Sequence, residues 1–196
     1  MRTWRLKRTR REIGTGFTLV EMLIVIVVIG IVVGITLPSI DITHYRTESA
    51  MQGIGMTLLS AERQAITSQH DIILMFDVAN QRIRIHEDAN DNGVVDPGER
   101  VHGVSLGEGI VFGLGGAPAR PMGPGPIVFT KVIGGYPALV FHRDGSASEA
   151  GGFYLTSVRA AASGTHTEDS RSIEIDRATG RAEWWKYGAP AWRRAF

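Results

Sequence analysis

The chain has 196 residues, 43% of them hydrophobic and 21% charged, and a net charge of +1. That gives room for one domain of ordinary size, and near-neutrality argues against a general nucleic-acid surface, which needs a basic excess. Cysteine is absent, so the fold has no disulfide to lean on and the chain offers no thiol nucleophile.

The first sixteen residues carry Arg2, Arg5, Lys7, Arg8, Arg10 and Arg11 against Glu12 alone. An apolar run follows at once. Phe17 to Leu37 is 21 residues with a single charge, Glu21. As a helix it would span about 30 Å, enough to cross a hydrocarbon core. The basic excess in front of it places the N-terminus in the cytoplasm and sends the C-terminal part outward. A secretory signal peptide would place its small cleavage residue after the apolar run; here Gly16 precedes it. An ordinary single-span anchor would leave Glu21 unexplained, because a carboxylate near the centre of a membrane helix costs about 2.5–3.5 kcal/mol.

Gly16-Phe17-Thr18-Leu19-Val20-Glu21 with the run Met22 to Leu37 resembles the prepilin N-terminus of type IV pilins and type II secretion pseudopilins. The resemblance implies cleavage after Gly16 by a prepilin peptidase and N-methylation of Phe17. It also implies polymerisation through the helix, with Glu21 pairing with the free amine of a mature N-terminus. Residues 1–16 are then a cleaved leader and 17–37 the transmembrane half of a long helix. Residues 38–70 are its amphipathic half, and 71–196 a periplasmic antiparallel β domain. The whole chain is +1 and the leader +5, so the mature chain is −4. Many major pilins close a C-terminal loop with a disulfide, and this chain departs from that pattern.

Beyond the membrane half, Pro38 is expected to kink the helix by removing the bond to the Gly34 carbonyl. Met51, Ile54, Leu58, Ala61 and Ala65 then recur at spacings of three and four, an apolar stripe facing a core. Gly53 and Gly55 weaken the helix by about 1 kcal/mol each. Gln69-His70-Asp71 reads as its end. Strands are predicted over Ile72–Val78 and Arg82–His86, a hairpin about Ala79-Asn80-Gln81. Further strands are expected over Val101–Leu106, Ile110–Phe112, Ile127–Val132, Ala138–His142, Phe153–Arg159, Ser172–Asp176 and Arg181–Tyr187. Asp144-Gly145 and Thr179-Gly180 are turn signals. Gly113 to Pro126, rich in glycine and proline, reads as a surface loop or crossover outside the core. One long helix followed only by strands predicts an α+β fold, the helix laid on an antiparallel sheet or sandwich, and in the light of the resemblance a pilin fold.

Three further segments narrow the resemblance. Ala61-Glu62-Arg63-Gln64-Ala65-Ile66, Phe141-His142-Arg143-Asp144-Gly145-Ser146-Ala147 and Thr179-Gly180-Arg181 resemble, in order, segments of the GspH/FimT-type branch. That branch implies a minor pseudopilin, a non-enzymatic subunit that primes or caps a periplasmic pseudopilus for protein secretion. The alternative it leaves is a FimT-like minor type IV pilin acting in pilus biogenesis or DNA uptake. The implied partners are other pilins or pseudopilins, the prepilin peptidase, an inner-membrane assembly platform and membrane lipid. The implied location is the inner membrane, single-pass, with the C-terminal domain in the periplasm.

The chemistry-bearing motifs are few. Asp88, Asn90, Asn92, Asp96 and Glu99 fall at the oxygen-ligand positions of a calcium loop, with Gly93 at its turn and the Val94 carbonyl at position seven. No cofactor is required by this reading, and calcium is the candidate ion; a polar turn rich in Asp, Asn and Gly explains the same residues. Gly30 and Gly34 form a GxxxG in the apolar run, suited to close helix packing, though glycine is common in such helices. Of the six histidines, none has metal-ligand spacing, and no enzyme site emerges. In the tail, Trp184, Trp185 and Trp192 interleave with Arg193 and Arg194. Such residues can stack bases and hold phosphates, which keeps DNA as a partner under the alternative. The competing reading places a tryptophan in the core and the two arginines in solvent.

Overall fold

The computed structural model describes residues 17–36 and 42–195. The chain divides into two compact units, Met1–Ile40 and Asp41–Phe196. In the first, helix α1 spans Leu19–Thr36. Thr18 stands before it and its Oγ1 accepts the Glu21 N–H at 3.2 Å. That is one half of a capping box, Thr-x-x-Glu, with the glutamate also favoured by the positive end of the helix dipole. The side chains of Leu19 to Gly34 are exposed in the isolated chain. Eighteen residues give about 27 Å of helix, and among the described residues no helix is long and apolar enough to cross a membrane. Gly16, Leu37, Pro38 and the expected kink lie outside the described residues.

The second unit opens with α2, Ile42–Ser68. The predicted stripe Met51, Ile54, Leu58, Ala61 and Ala65 is buried on it. Gln69 ends the helix in a left-handed conformation. Strands β1 (Asp71–Asp77) and β2 (Arg82–Asp88) form the expected hairpin. They sit in a five-stranded antiparallel sheet with β3 (Val101–Ser105), β5 (Val132–Ile133) and β6 (Tyr136–Phe141), in the order β3-β2-β1-β6-β5. A second five-stranded sheet has the order β10-β9-β8-β7-β4. Its strands are β4 (Ile110–Phe112), β7 (Gly151–Ser157), β8 (Arg171–Ile175), β9 (Ala182–Gly188) and β10 (Ala191–Arg194).

The main core lies where α2 and the two sheets meet. Alternation on β1 decides which residues enter it: Ile72, Leu74 and Phe76 face the main core, while Ile73 and Met75 join Ile133, Ala138 and Val140 in a smaller cluster. Strand β1 is therefore buried on both faces, which explains its unbroken apolar run. Phe76 packs against Phe112, Phe129 and Phe153 with ring centroids 5.0–6.0 Å apart.

Two expectations fail in detail. Ile127 to Val132 is no continuous strand; Ile127 makes one bridge to Phe153 and β5 starts at Val132. Strand β7 ends at Ser157, where a short helix α3, Val158–Ser163, begins. The Ser157 hydroxyl caps it by accepting from Ala160 N, and Gly164 closes it in a left-handed conformation. So the segment after α2 is not strands alone. Gly55 has a tertiary reason that helix propensity does not supply: a Cβ there would sit 2.5 Å from the Trp184 ring. The glycine is a notch that lets the indole reach the core. Its cost to the helix is offset by burial of a large aromatic surface.

Candidate functional site

Three regions carry the predicted site residues. The first is the N-terminal segment. Phe17 precedes α1 and is exposed, and Glu21 sits in the first helical turn. Gly30 and Gly34 lie within α1, and a Cβ at either would meet nothing within 4 Å. The structure places an exposed carboxylate at the mouth of an otherwise apolar helix. The Thr18-to-Glu21 cap was visible in the sequence as Thr-x-x-Glu, and it supplies a local reason for the glutamate besides any intermolecular one.

The second region is the loop from Asp88 to Glu99. Asp88 ends β2 and is buried; its carboxylate accepts from Asn92 N at 3.1 Å and from Gly93 N at 2.6 Å. Asn90 Oδ1 accepts from Asn92 N, and Asn92 Oδ1 from Val94 N. The amides of Asn90 and Asn92 both donate to Asp96 Oδ2, at 2.8 and 2.6 Å. Those bonds hold the Asp96 carboxyl below the usual carboxylate range. Glu99 closes the loop, accepting from Asp96 N at 2.9 Å, Ala89 N at 3.1 Å and His86 Nε2 at 2.7 Å. The Asp96 amide, then the buried His86, lower its pKa. The loop thus satisfies its own oxygens with its own amides. Among the described residues, no group of three or more His, Asp or Glu side chains is placed to hold a metal ion. The buried His86 next to Glu99 was not singled out from the sequence. Its position opposite Ile73 on β1 follows only from strand register.

The third region is the tail and what covers it. Trp184 packs against the core and Trp185 lies on the opposite face of β9. Arg120 stacks over the Trp185 ring at 3.7 Å and pairs with Glu174. Trp192 packs against Tyr154 and Tyr187, and its Nε1 donates to the Pro118 carbonyl at 2.8 Å. Arg194 pairs with Glu183 at 2.9 Å, whereas Arg193 is exposed and has no partner among the described residues. The glycine- and proline-rich segment is therefore more than a surface loop. It straps the outer face of the second sheet. Arg120 N donates to Tyr154 Oη, which donates to the Gly123 carbonyl; Ser170 Oγ donates to the Leu114 carbonyl. Ala117 within it is buried. Burial is the first cause that pushes the Tyr154 phenol above its ordinary pKa. His142 Nδ1 lies 2.8 Å from Asp71 Oδ2, and Asp144 accepts from Ser146 N.

Residues 15–37 match the model of the prokaryotic N-terminal methylation motif. The segment is similar to that motif. It spans Phe17, the cap Thr18, Glu21 and the whole of α1. No curated protein matches the chain. Among solved structures, two of the minor pseudopilin EpsH from the type II secretion system of Vibrio cholerae are similar, at 15% and 17% identity and a TM-score of 0.45 each. They cover 72% and 74% of this chain and 97% of their own.

Proposed function

We propose that this protein is a filament subunit, a minor pseudopilin that primes or caps a short periplasmic pseudopilus for protein secretion. The observation that carries the reading is the methylation motif over residues 15–37, coincident with a helix whose one charge, Glu21, sits in its first turn. In this reading a peptidase cuts after Gly16, Phe17 becomes the methylated N-terminus, and the apolar helix anchors the chain in the inner membrane. The second unit stands outside, and the subunit works by contact rather than by chemistry. Glu21 receives the amine of a neighbouring mature N-terminus. An ion pair in lipid stabilises association because the unpaired carboxylate is costly there.

The alternative is a FimT-like minor type IV pilin that contacts DNA through the tail. Its base-stacking surface is engaged within the chain, Trp185 by Arg120 and Trp192 by Tyr154 and Tyr187. Arg193 remains as the tail cation for phosphate. The secretion reading is therefore the one we adopt.

The test is the N-terminus of the membrane-extracted protein, read by mass spectrometry in cells that hold a prepilin peptidase. N-methylated Phe17 is expected, with Gly16→Leu leaving the leader in place. A mature chain starting elsewhere would sink the proposal. Glu21→Ala should be processed and inserted yet lose crosslinks to partner pilins. Unchanged crosslinks would reduce Glu21 to the helix cap.

A further inference from the structure

Two surfaces of the second unit are unexplained by its own folding, and they complement each other. The first is a groove of about 550 Å³ between α2 and the start of β9. Its floor is Met51, Gly55 and Trp184, and its wall is Met56 and Leu59, which stand 69% and 40% exposed. Arg181 lines the rim, exposed and with no side-chain partner among the described residues. Glu62 also faces the groove, and burial raises its pKa. The second surface is the tip of the acidic loop. Val94 and Val95 stand out of it, 56% and 40% exposed. Asp96 beside them is hydrogen-bonded by amides and pairs with no arginine or lysine among the described residues. A loop that closes on its own hydrogen bonds has no folding reason to present two adjacent valines to water.

We propose that the loop of one copy docks into the groove of a second copy, burying Val94 and Val95 against Met56, Leu59 and Trp184 with Asp96 facing Arg181. The inference rests on the filament reading. The complementary features are an apolar pair beside an anion that no arginine or lysine neutralises, and a largely apolar groove whose rim cation has no side-chain partner among the described residues. The two surfaces also lie at different heights on the helix. Asp71 N, just past the end of α2, donates to Asp91 Oδ1 at 2.8 Å and ties the loop to that end. The groove lies near the middle of α2, about 15 Å back along it. A loop-to-groove contact therefore joins unlike surfaces and leaves each pair with a further free loop and groove. Such a heterologous contact closes into a ring or continues as an open array according to the rotation between copies.

The absence of cysteine makes the test direct. The full chain is produced in membranes as two differently tagged copies, one with Val95→Cys and the other with Met56→Cys, and oxidised with copper phenanthroline. Disulfide-linked dimers are expected from this pair and not from Val95→Cys with itself or Met56→Cys with itself. Adding Arg181→Glu, an exposed change that leaves folding intact, should cut the yield about tenfold, the scale of losing one charge-assisted contact. No mixed dimer, equal yields from all pairings, or indifference to Arg181→Glu would each overturn the docking. A correctly processed Phe17 N-terminus without mixed dimer removes this inference alone; an unprocessed one removes the filament reading beneath it.

Discussion

The acidic loop, Asp88 to Glu99, and the strap, Gly113 to Pro126, are both built from residues that favour turns, yet they are held in opposite ways. The loop is held locally: its carboxylates and amides bond to backbone groups a few positions away. The strap is held by distant residues, Tyr154, Ser170, Glu174 and Trp192, which reach it from segments laid down later in the chain. A locally closed loop can be altered without disturbing the sheets. A strap is part of the sheet's packing, so damage to it should spread. Calorimetry and hydrogen exchange on the full chain in detergent can break that comparison.

The largest effect is expected at Gly115 in the strap. It has φ of +58°, and a Cβ there would lie 2.2 Å from Thr156 Oγ1. Gly115→Ala should cost about 3 kcal/mol through overpacking and backbone strain, lowering Tm by about 6–12 °C. Tyr154→Phe should cost about 2 kcal/mol, because the Arg120 amide and Gly123 carbonyl lose a buried partner. Amide exchange should then rise across both the strap and the second sheet. Exchange confined to the strap would mean that it is merely surface.

Asp88→Ala is expected to cost about 1–2 kcal/mol, the loss of a buried acceptor of two backbone amides, with faster exchange limited to the loop. A larger cost than Tyr154→Phe would invert the comparison. The same sample tests the ion. Equal Tm in millimolar calcium and in chelator is expected of a loop closed by its own amides. A calcium-dependent rise that Asp88→Ala abolishes would make the loop a cation site instead.

The smallest effect separates the two by pH. Asp96 and Glu99 have lowered pKa values, so their contribution is present above the unfolded carboxylate pKa, about 4. It is lost as pH falls through the folded values. The Tyr154 pKa is raised, so its contribution is present below the unfolded phenol pKa, about 10, and lost as pH rises beyond it. Local exchange should therefore quicken first in the loop in acid and first in the strap in alkali. The same segment opening first at both extremes would show that the two are not independent.

What the sequence by itself determined is what local chemistry determines. The basic charge of residues 1–16, the apolar run and Glu21 are legible because solvation acts on composition, and the motif match over residues 15–37 covers the last two. The α2 stripe, the first hairpin and the turns at Asp144-Gly145 and Thr179-Gly180 follow from periodicity and turn geometry. The cap Thr18 and the helix α3, with Ser157 and Gly164 at its ends, were legible too and went unread. Only the tertiary structure decided the rest. Gly55 looks like a defect until Trp184 fills its notch. Arg171 looks like a surface strand residue, yet it is fully buried, donating to the Glu168 carbonyl at 2.7 Å and to Glu48 on α2 at 3.2 Å. A buried guanidinium is tolerated only where such acceptors converge, and they come from opposite ends of the chain. Which turn-rich segment becomes a self-closed loop and which a strap is settled the same way, by side chains that meet only after the sheets have formed.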